Sequence, residues 1–239
     1  MPGDNGPVGR SAEREGIERQ VRIPVGTATL DGDLRLPVAA RGIVLFAHGS
    51  GSSRHSPRNR YVARLLSEAR LASLLLDLLT PDEETDDLQT GHFRFDIDFL
   101  AGRLVAATDW LVHDPDTGRL RIGYFGASTG AGAALAAAAA QPHLVGAIVS
   151  RGGRPDLADR VLPRVRAPTL LIVGKRDTVV IELNRAALAR LRCEKDLVGI
   201  PGATHLFEEP GALDAVARVA RTWFERHLVP AGEPETIRG

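Results

Sequence analysis

Apolar residues follow two patterns that alternate along this chain. Continuous apolar runs are typical of strands buried on both faces of a sheet, and apolar residues that recur every three or four positions are typical of amphipathic helices. The runs that predict strands lie at 42–47, 71–79, 121–126, 144–149, 169–173 and 196–200. The stretches that predict helices lie at 57–69, 97–111, 128–141, 180–191 and 213–228, with a short helical piece near Leu157. This alternation predicts an α/β fold with a mostly parallel central sheet flanked by helices on both faces.

Two features complete the predicted domain. Apolar residues alternate with polar ones over 21–25 and recur over 30–36 around a Gly turn, which predicts an antiparallel N-terminal hairpin. The polar residues at each end, with their Gly and Pro, are typical of loose terminal segments. We therefore expect one domain over residues 19–228, between a flexible segment at 1–18 and a flexible tail at 229–239.

Composition and charge narrow the function classes. Thirty basic residues balance thirty acidic ones, so we expect no nucleic-acid partner, which would favour a positive excess. No apolar run approaches the length of a membrane-spanning helix, and we expect no membrane partner. Cys193 is the only cysteine, which excludes an intrachain disulfide and a cysteine metal cage and favours a reducing cytoplasm. We expect no metal, and a monomer or a homodimer.

The segment after the strand at 121–126 carries the first chemical signal. Residues 126–130 read Gly-Ala-Ser-Thr-Gly, the Gly-x-Ser-x-Gly pattern of a nucleophile elbow. A serine on such a sharp strand-to-helix turn leaves little room two positions before and after it, and glycine fits there because it has no side chain. Ser128 is therefore the candidate nucleophile.

The same glycines also fit a dinucleotide-binding loop. Gly126, Gly130 and Gly132 have the Gly-x-x-x-Gly-x-Gly spacing of short-chain dehydrogenases. That loop should follow the first strand, whereas this one follows about the fifth. Such enzymes also need a lysine four residues after a tyrosine, and neither Tyr61 nor Tyr124 has one. The nucleophile elbow is the favoured interpretation.

Partners for a serine nucleophile lie downstream in the expected order. Such a serine needs a base and an acid that orients the base, and behind this kind of elbow the acid comes before the histidine. His205 follows the last predicted strand, at the end of the sheet where ligands bind, and is the candidate base. Asp177 follows the strand at 169–173 and is the candidate acid. The alternatives are that Asp177 only caps the next helix and that Asp156 is the acid.

Backbone N–H groups are needed to stabilise the negative oxygen that develops on the substrate. The residue after the nucleophile, Thr129, should supply one, and the loop after the strand at 42–47 should supply the other. That loop reads His-Gly-Ser-Gly-Ser-Ser over 48–53, and we assign the second donor to Ser50. His48 is interpreted as a residue that holds the loop by hydrogen bonds, with a second catalytic base as the alternative.

Four motifs occur in one order along the chain: His-Gly-x-Gly at 48–51, the elbow at 126–130, Gly-x-x-Asp at 174–177 and Gly-x-x-His at 202–205. Together they resemble the α/β-hydrolase fold over residues 20–228, and within it the dienelactone hydrolase-like branch. The resemblance implies a Ser/Cys-His-Asp triad, no cofactor, and hydrolysis of esters or lactones. Dienelactone hydrolases proper carry Cys where this chain has Ser128, which favours a general serine esterase acting on small esters.

The predicted cleft has little cover and several arginines. Lids of this fold are often inserted where residues 150–168 lie, and that segment is too short for a large one. The polar, acidic stretch 80–95 is interpreted as a loop in the cleft wall. Arg54, Arg58 and Arg151 are candidate contacts for an anionic substrate group, because guanidinium binds carboxylate and phosphate well. The alternative is that these arginines pair with the acidic residues of 80–95.

Two function classes therefore stay open. In the favoured one, Ser128 attacks the acyl carbon of a small ester, His205 transfers the proton and Asp177 orients His205. The other is a non-catalytic binding protein with a hydrolase-like fold. Within the enzyme class, a thioesterase, an amidase and a lactonase use the same triad.

Overall fold

The computed structural model describes residues 16–229. The strands of this range are β1 (Ile17–Val25), β2 (Ala28–Leu36), β3 (Gly42–Ala47), β4 (Leu71–Leu76), β5 (Ile122–Ala127), β6 (Val145–Arg151), β7 (Thr169–Gly174) and β8 (Lys195–Ile200). Its α-helices are α1 (Pro57–Glu68), α2 (Pro81–Thr90), α3 (Ile97–His113), α4 (Thr129–Ala140), α5 (Thr178–Arg190) and α6 (Ala212–Leu228). The strands and helices predicted from the sequence are all present, with bounds that differ by a few residues.

The strands form one eight-stranded sheet in the order β1-β2-β4-β3-β5-β6-β7-β8. Strand β2 runs antiparallel to both of its neighbours, β1 and β4, and every pair from β4 to β8 is parallel. The predicted N-terminal hairpin and mostly parallel sheet are therefore confirmed. Because β3, β5, β6, β7 and β8 are parallel, the loops that follow them all lie at one edge, which we call the carboxyl edge of the sheet.

Helices cover both faces of the sheet, as predicted. On one face, buried apolar residues of α3, α4 and α5 pack against the sheet. On the other face, buried residues of α1 and α6 do so. Helix α4 consists mostly of alanine and glycine, and all of its residues up to Ala138 are buried. Small side chains let this helix lie close to the centre of the sheet, directly behind the candidate nucleophile.

The interpretation of residues 80–95 as a loop is wrong, because residues 81–90 form helix α2. Thr80 and Glu83 make a reciprocal capping box at its start, Pro81 occupies its first turn, and Gly91 ends it in the left-handed conformation. The helix buries only Asp87 and has no apolar stripe. Local capping, which the sequence Thr-Pro-x-Glu contains, creates this helix where hydrophobic periodicity gives no signal.

The ends of the chain are only partly described. Strand β1 begins at Ile17, inside the segment 1–18 that was predicted to be flexible. Residues 1–15 and 230–239, which hold the rest of the two terminal predictions, lie outside the described residues. The connection from β6 to β7 contains two short 3-10 turns and no large inserted lid, which agrees with the sequence prediction. No helix between residues 16 and 229 is long and apolar enough to cross a membrane.

Candidate active site

Ser128 lies at the sharp turn between β5 and α4, as the elbow pattern predicts. Its backbone has φ 50° and ψ −122°, a conformation that L-residues rarely adopt and that is characteristic of strained functional sites. A Cβ atom at Gly126 would lie 2.4 Å from the Cα of Ala131, so a side chain there would prevent the turn from forming. The strained backbone conformation of Ser128 therefore places its side chain at the carboxyl edge.

His205 and Asp177 meet at the same edge, from the loops after β8 and β7. The His205 Nδ1 and the Asp177 Oδ2 are 2.7 Å apart. Asp177 also caps α5, because its Oδ1 accepts a hydrogen bond from the Val180 amide. Asp177 therefore bonds the His205 ring through one carboxylate oxygen and caps α5 through the other. With Nδ1–H donated to Asp177, Nε2 of His205 is the ring nitrogen that can accept a proton.

The two loops that carry His205 and Asp177 are pressed together by their backbones. The Arg176 amide donates a 2.9 Å hydrogen bond to the Ala203 carbonyl. A Cβ atom at Gly174 would lie 2.5 Å from the carbonyl oxygens of both Ala203 and Thr204, so only glycine allows this approach. The alternative acid, Asp156, instead pairs with Arg154 at 2.8 Å. Backbone contacts between the two loops therefore hold His205 and Asp177 close to each other.

One open cleft of about 260 Å³ brings Ser128 and His205 together. Its wall also contains Arg58 and Asn59 from the start of α1, and Arg151 from the end of β6. Within residues 16–229, Asp177 is the one hydrogen-bond partner of the His205 ring, and the Ser128 hydroxyl is not bonded to it. Contacts between nucleophile and base are often loose before substrate binds and tighten in the complex.

The two expected oxyanion donors, the N–H groups of Thr129 and Ser50, differ in whether they already have a hydrogen-bond acceptor. Thr129 is the first residue of α4, and N–H groups in the first turn of a helix have no partner within it. The Ser50 amide already donates to the Thr129 Oγ1 at 3.0 Å, and the two hydroxyls are also 3.0 Å apart. A substrate oxygen that binds Ser50 N–H must therefore share that donor with the Thr129 side chain.

His48 holds its loop in place, as the sequence analysis favours. Its Nδ1 lies 2.9 Å from the Gly49 carbonyl, and its Nε2 accepts a 3.0 Å hydrogen bond from the Leu78 amide. Both ring nitrogens are therefore occupied by backbone groups, which requires the neutral ring. Burial lowers the pKa of His48 below its ordinary value, in keeping with that state.

The candidate arginines divide into paired and unpaired ones. Arg54 was expected to be a substrate contact, but its side chain pairs with Asp77 and Asp33, so its charge is already compensated. Arg58 pairs with Glu208 at 2.9 Å. None of these three carboxylates belongs to the segment 80–95, so the alternative is correct that Arg54 and Arg58 pair with acidic residues but wrong about which ones.

Arg151 differs from both of these arginines. Only 8% of this residue is exposed, and no carboxylate of residues 16–229 pairs with it. Arg151 was predicted from the sequence, whereas Asn59, a buried residue that lines the same cleft, was not. Asn59 follows the helix-start signal Ser56-Pro57 by two positions, a signal that places it near the cleft only once the sheet order is known.

Acidic and histidine residues form no metal-binding cluster in the described part of the chain, where no group of three or more His, Cys, Asp or Glu side chains is suitably arranged. The glycine-rich segment at 126–130 follows the fifth strand and packs against β3, so it does not occupy the place of a dinucleotide loop. Ser128 and His205 instead share one cleft, and the His205 ring is hydrogen-bonded to Asp177.

Comparisons with known proteins agree with this geometry. The model of the dienelactone hydrolase family matches residues 77–228, which is more than half of the chain. The chain belongs to the dienelactone hydrolase family. A dienelactone hydrolase from Anabaena variabilis is 62% identical in sequence, and its structure superimposes with a TM-score of 0.88 over 90% of this chain and 100% of that one. The α/β-hydrolase fold expected from the four motifs is therefore confirmed.

Two further comparisons show a likeness of fold in one case and a match to part of a longer chain in the other. Est1E from Butyrivibrio proteoclasticus has a TM-score of 0.73 at 16% identity, over 87% of this chain and 98% of its own, a likeness of fold alone. A Mycobacterium tuberculosis protein named "putative phosphoribosyl transferase" is 56% identical over 90% of this chain. This chain spans only 48% of that relative's length.

Proposed function

We propose that this member of the dienelactone hydrolase family is a serine hydrolase of small carboxylic esters or lactones. The single observation that carries the proposal is that Ser128, in a strained elbow, shares one cleft with a hydrogen-bonded pair of His205 and Asp177. Family membership supports hydrolysis in general. The identity of the nucleophile and the covalent intermediate are the finer steps that we propose.

In the proposed reaction, Ser128 Oγ attacks the acyl carbon while His205 Nε2 takes the hydroxyl proton. Asp177 holds the ring through Nδ1 and stabilises the imidazolium that forms. The N–H groups of Thr129 and Ser50 bind the oxygen that becomes negative. His205 then gives the proton to the leaving alcohol, and a water molecule, deprotonated by the same ring, releases the acyl group and regenerates Ser128.

Covalent labelling tests the nucleophile directly. A fluorophosphonate probe should add to the wild-type protein at one site, detected by intact mass and located by peptide mapping, and should not add to Ser128→Ala. Ser67→Ala, in α1 and away from the cleft, is the matched control and should label like wild type. Equal labelling of wild type and Ser128→Ala, or none in either, would favour a non-catalytic binding protein.

The chemical bond that is cleaved needs a separate measurement. A series of p-nitrophenyl esters of increasing acyl length, with one lactone, one thioester and one amide, should be hydrolysed with a preference for the oxygen esters or the lactone. A preference for the thioester or the amide would reassign the enzyme within the same triad chemistry. The name of the Mycobacterium relative describes a chain about twice as long, so it assigns no activity to these residues.

A further inference from the structure

Arg151, the last residue of β6, is buried with an uncompensated charge. Its Nε and Nη1 atoms are enclosed and make no hydrogen bond within residues 16–229. The remaining nitrogen, Nη2, is not enclosed in this way, and Arg151 lines the cleft that contains Ser128. A buried charge without a partner is among the most costly features of a folded protein. Its presence beside the nucleophile indicates that a ligand supplies the missing negative charge.

The groups around Arg151 add a further positive charge and do little to compensate the charge of its guanidinium. Burial, and secondly the charge of Arg58, lower the pKa of Arg151 to about 10, so the guanidinium stays charged at neutral pH. The guanidinium carbon lies 5.9 Å from the ring centroid of Phe207, and an aromatic face offsets a cation only in part. The partner of Arg58, Glu208, is mostly exposed, and such surface ion pairs are weak and rearrange easily.

The N-terminus of α1 opens into the same cleft through Ser56, Arg58 and Asn59. A helix N-terminus favours negative charge, and the first turn of α2 accordingly holds three acidic residues. The first turn of α1 holds none and carries Arg58 instead. Two guanidinium groups and the positive end of a twelve-residue helix therefore line the same cleft, a setting that favours an oxyanion.

We propose that Arg151, Arg58 and the N-terminus of α1 bind a phosphate group carried by the ester substrate, so that the enzyme hydrolyses phosphorylated esters or lactones. This inference rests on the proposed function, because it assigns the substrate of the same cleft. A carboxylate has two oxygens in a plane and is satisfied by a single guanidinium fork. A phosphate monoester has three terminal oxygens directed apart, and up to two negative charges, which match donors arriving from separate elements.

Matched substrates test the proposal through activity. Three esters with the same leaving group and acyl length should be compared, whose acyl chains end in a methyl group, a carboxylate or a phosphate monoester. We expect wild type to have the highest kcat/KM for the phosphorylated ester, and Arg151→Met to lower that value about 100-fold, the size of a lost charge-assisted contact. The neutral ester should change no more than about 3-fold. Arg154→Met, which removes a paired arginine from the next loop, is the control.

Direct binding separates this proposal from the esterase proposal. Inorganic phosphate should bind Ser128→Ala in isothermal titration calorimetry, with an affinity that falls at least about 10-fold when Arg151→Met is added and stays unchanged with Arg154→Met. If no ester is hydrolysed but phosphate binds in this way, the esterase proposal fails and the anion site stands. A preference for the carboxylated ester, equal rates for all three esters, or no phosphate binding by a folded Ser128→Ala protein would overturn the phosphate site.

Discussion

Polar groups at the carboxyl edge of the sheet lie in two neighbouring regions, which differ in how far their polar groups have hydrogen-bond or ion-pair partners. The first, which we call the α2 region, contains His48, Arg103 and Glu83. There Arg103 is buried but pairs with Glu83 and lies 4.6 Å from the Phe99 ring centroid, and both ring nitrogens of His48 are bonded to the backbone. The second region is the cleft, where, among the residues that the structure describes, Arg151 has no carboxylate partner and the Nε2 of His205 makes no hydrogen bond.

The difference separates polar groups that hold the fold from groups that are kept for a ligand. Most buried polar groups in folded proteins find a partner, so an unpaired one requires an explanation. In the α2 region the chain supplies a carboxylate for Arg103 and backbone partners for both His48 ring nitrogens, although Arg103 Nη1 makes no hydrogen bond within residues 16–229. These contacts stabilise the protein. In the cleft, hydrogen-bonding capacity is left open at a cost in stability, which is characteristic of functional sites.

The largest expected effect separates the two histidines. His205→Ala should lower kcat about 10⁴-fold or more with only a small change in the melting temperature, because it removes the proposed base, whose side chain is 40% exposed. His48→Ala should instead lower the free energy of unfolding by about 1–3 kcal/mol, because the Leu78 amide loses its acceptor. Steady-state kinetics and urea unfolding of both variants measure the contrast.

A shared outcome for the two histidine variants would break the comparison. If His48→Ala lost activity as fully as His205→Ala while remaining folded, His48 would be a second catalytic base. His205→Asn is a useful third variant, because it keeps a side chain of similar size next to Asp177 and should be as inactive as His205→Ala.

The second expected effect concerns the two buried arginines. Arg103→Met should lower the free energy of unfolding by about 2–3 kcal/mol, less than for a fully enclosed pair because the Glu83 side chain is 21% exposed. Arg151→Met should change it by less than about 1 kcal/mol, or raise it, because an uncompensated charge is replaced by an apolar side chain. Urea unfolding without added phosphate measures both values.

Phosphate sharpens this pair of measurements. Saturating inorganic phosphate should stabilise wild type and Arg103→Met alike, since a ligand stabilises in proportion to the logarithm of its concentration above its Kd. It should stabilise Arg151→Met by at least about 1.4 kcal/mol less, because that variant is expected to bind phosphate at least about 10-fold more weakly. If Arg151→Met were the more destabilised of the two variants, the unpaired guanidinium would be a packing element, and the distinction between the regions would be wrong at this position.

The fold could be predicted well from the sequence because the signals for its strands and helices are local. The buried strands are continuous apolar runs, and the Ser-Pro start of α1 and the glycines around Ser128 have direct steric meanings. The candidate triad residues could be chosen because sheet topology brings the loops after parallel strands to one edge. Helix α2 was missed because capping rather than apolar periodicity forms it.

Partner choice was the part that the sequence could not provide. Arg54, Arg58 and Arg151 look alike in the chain, yet the first is tied to Asp77 from the end of β4 and the second to Glu208 after β8. Which carboxylate reaches which guanidinium depends on distances of a few ångström between loops that are far apart in sequence. That Arg151 has no carboxylate partner within residues 16–229 is visible only in three dimensions.

A smaller effect is expected at the contact that joins the two regions, the hydrogen bond from the Ser50 amide to the Thr129 Oγ1. Thr129→Val keeps the shape of the side chain but removes this acceptor, so the loop at 48–53 loses its hold on α4. We expect kcat to fall about 10-fold, less than the loss of a whole oxyanion donor. Thr129→Ser keeps the hydroxyl and should be close to wild type, and an unchanged Thr129→Val would show that the contact does not position Ser50.

The smallest effect is a pH dependence of stability from His48 in the α2 region. Burial lowers the pKa of this residue below 6.5. As the pH falls below 6.5, His48 therefore becomes protonated in the unfolded chain while it stays neutral in the folded protein. Stability should therefore be constant above this pH and decline below it, by at most about 1.4 kcal/mol per pH unit. His227 shifts in the same direction, so the test is the difference between wild type and His48→Gln in urea unfolding from pH 7.5 to 5. If the free energy of unfolding had the same pH dependence in the two proteins, the folded protein would accept the proton on His48. The hydrogen bonds that distinguish this ring from His205 would then not require its neutral form.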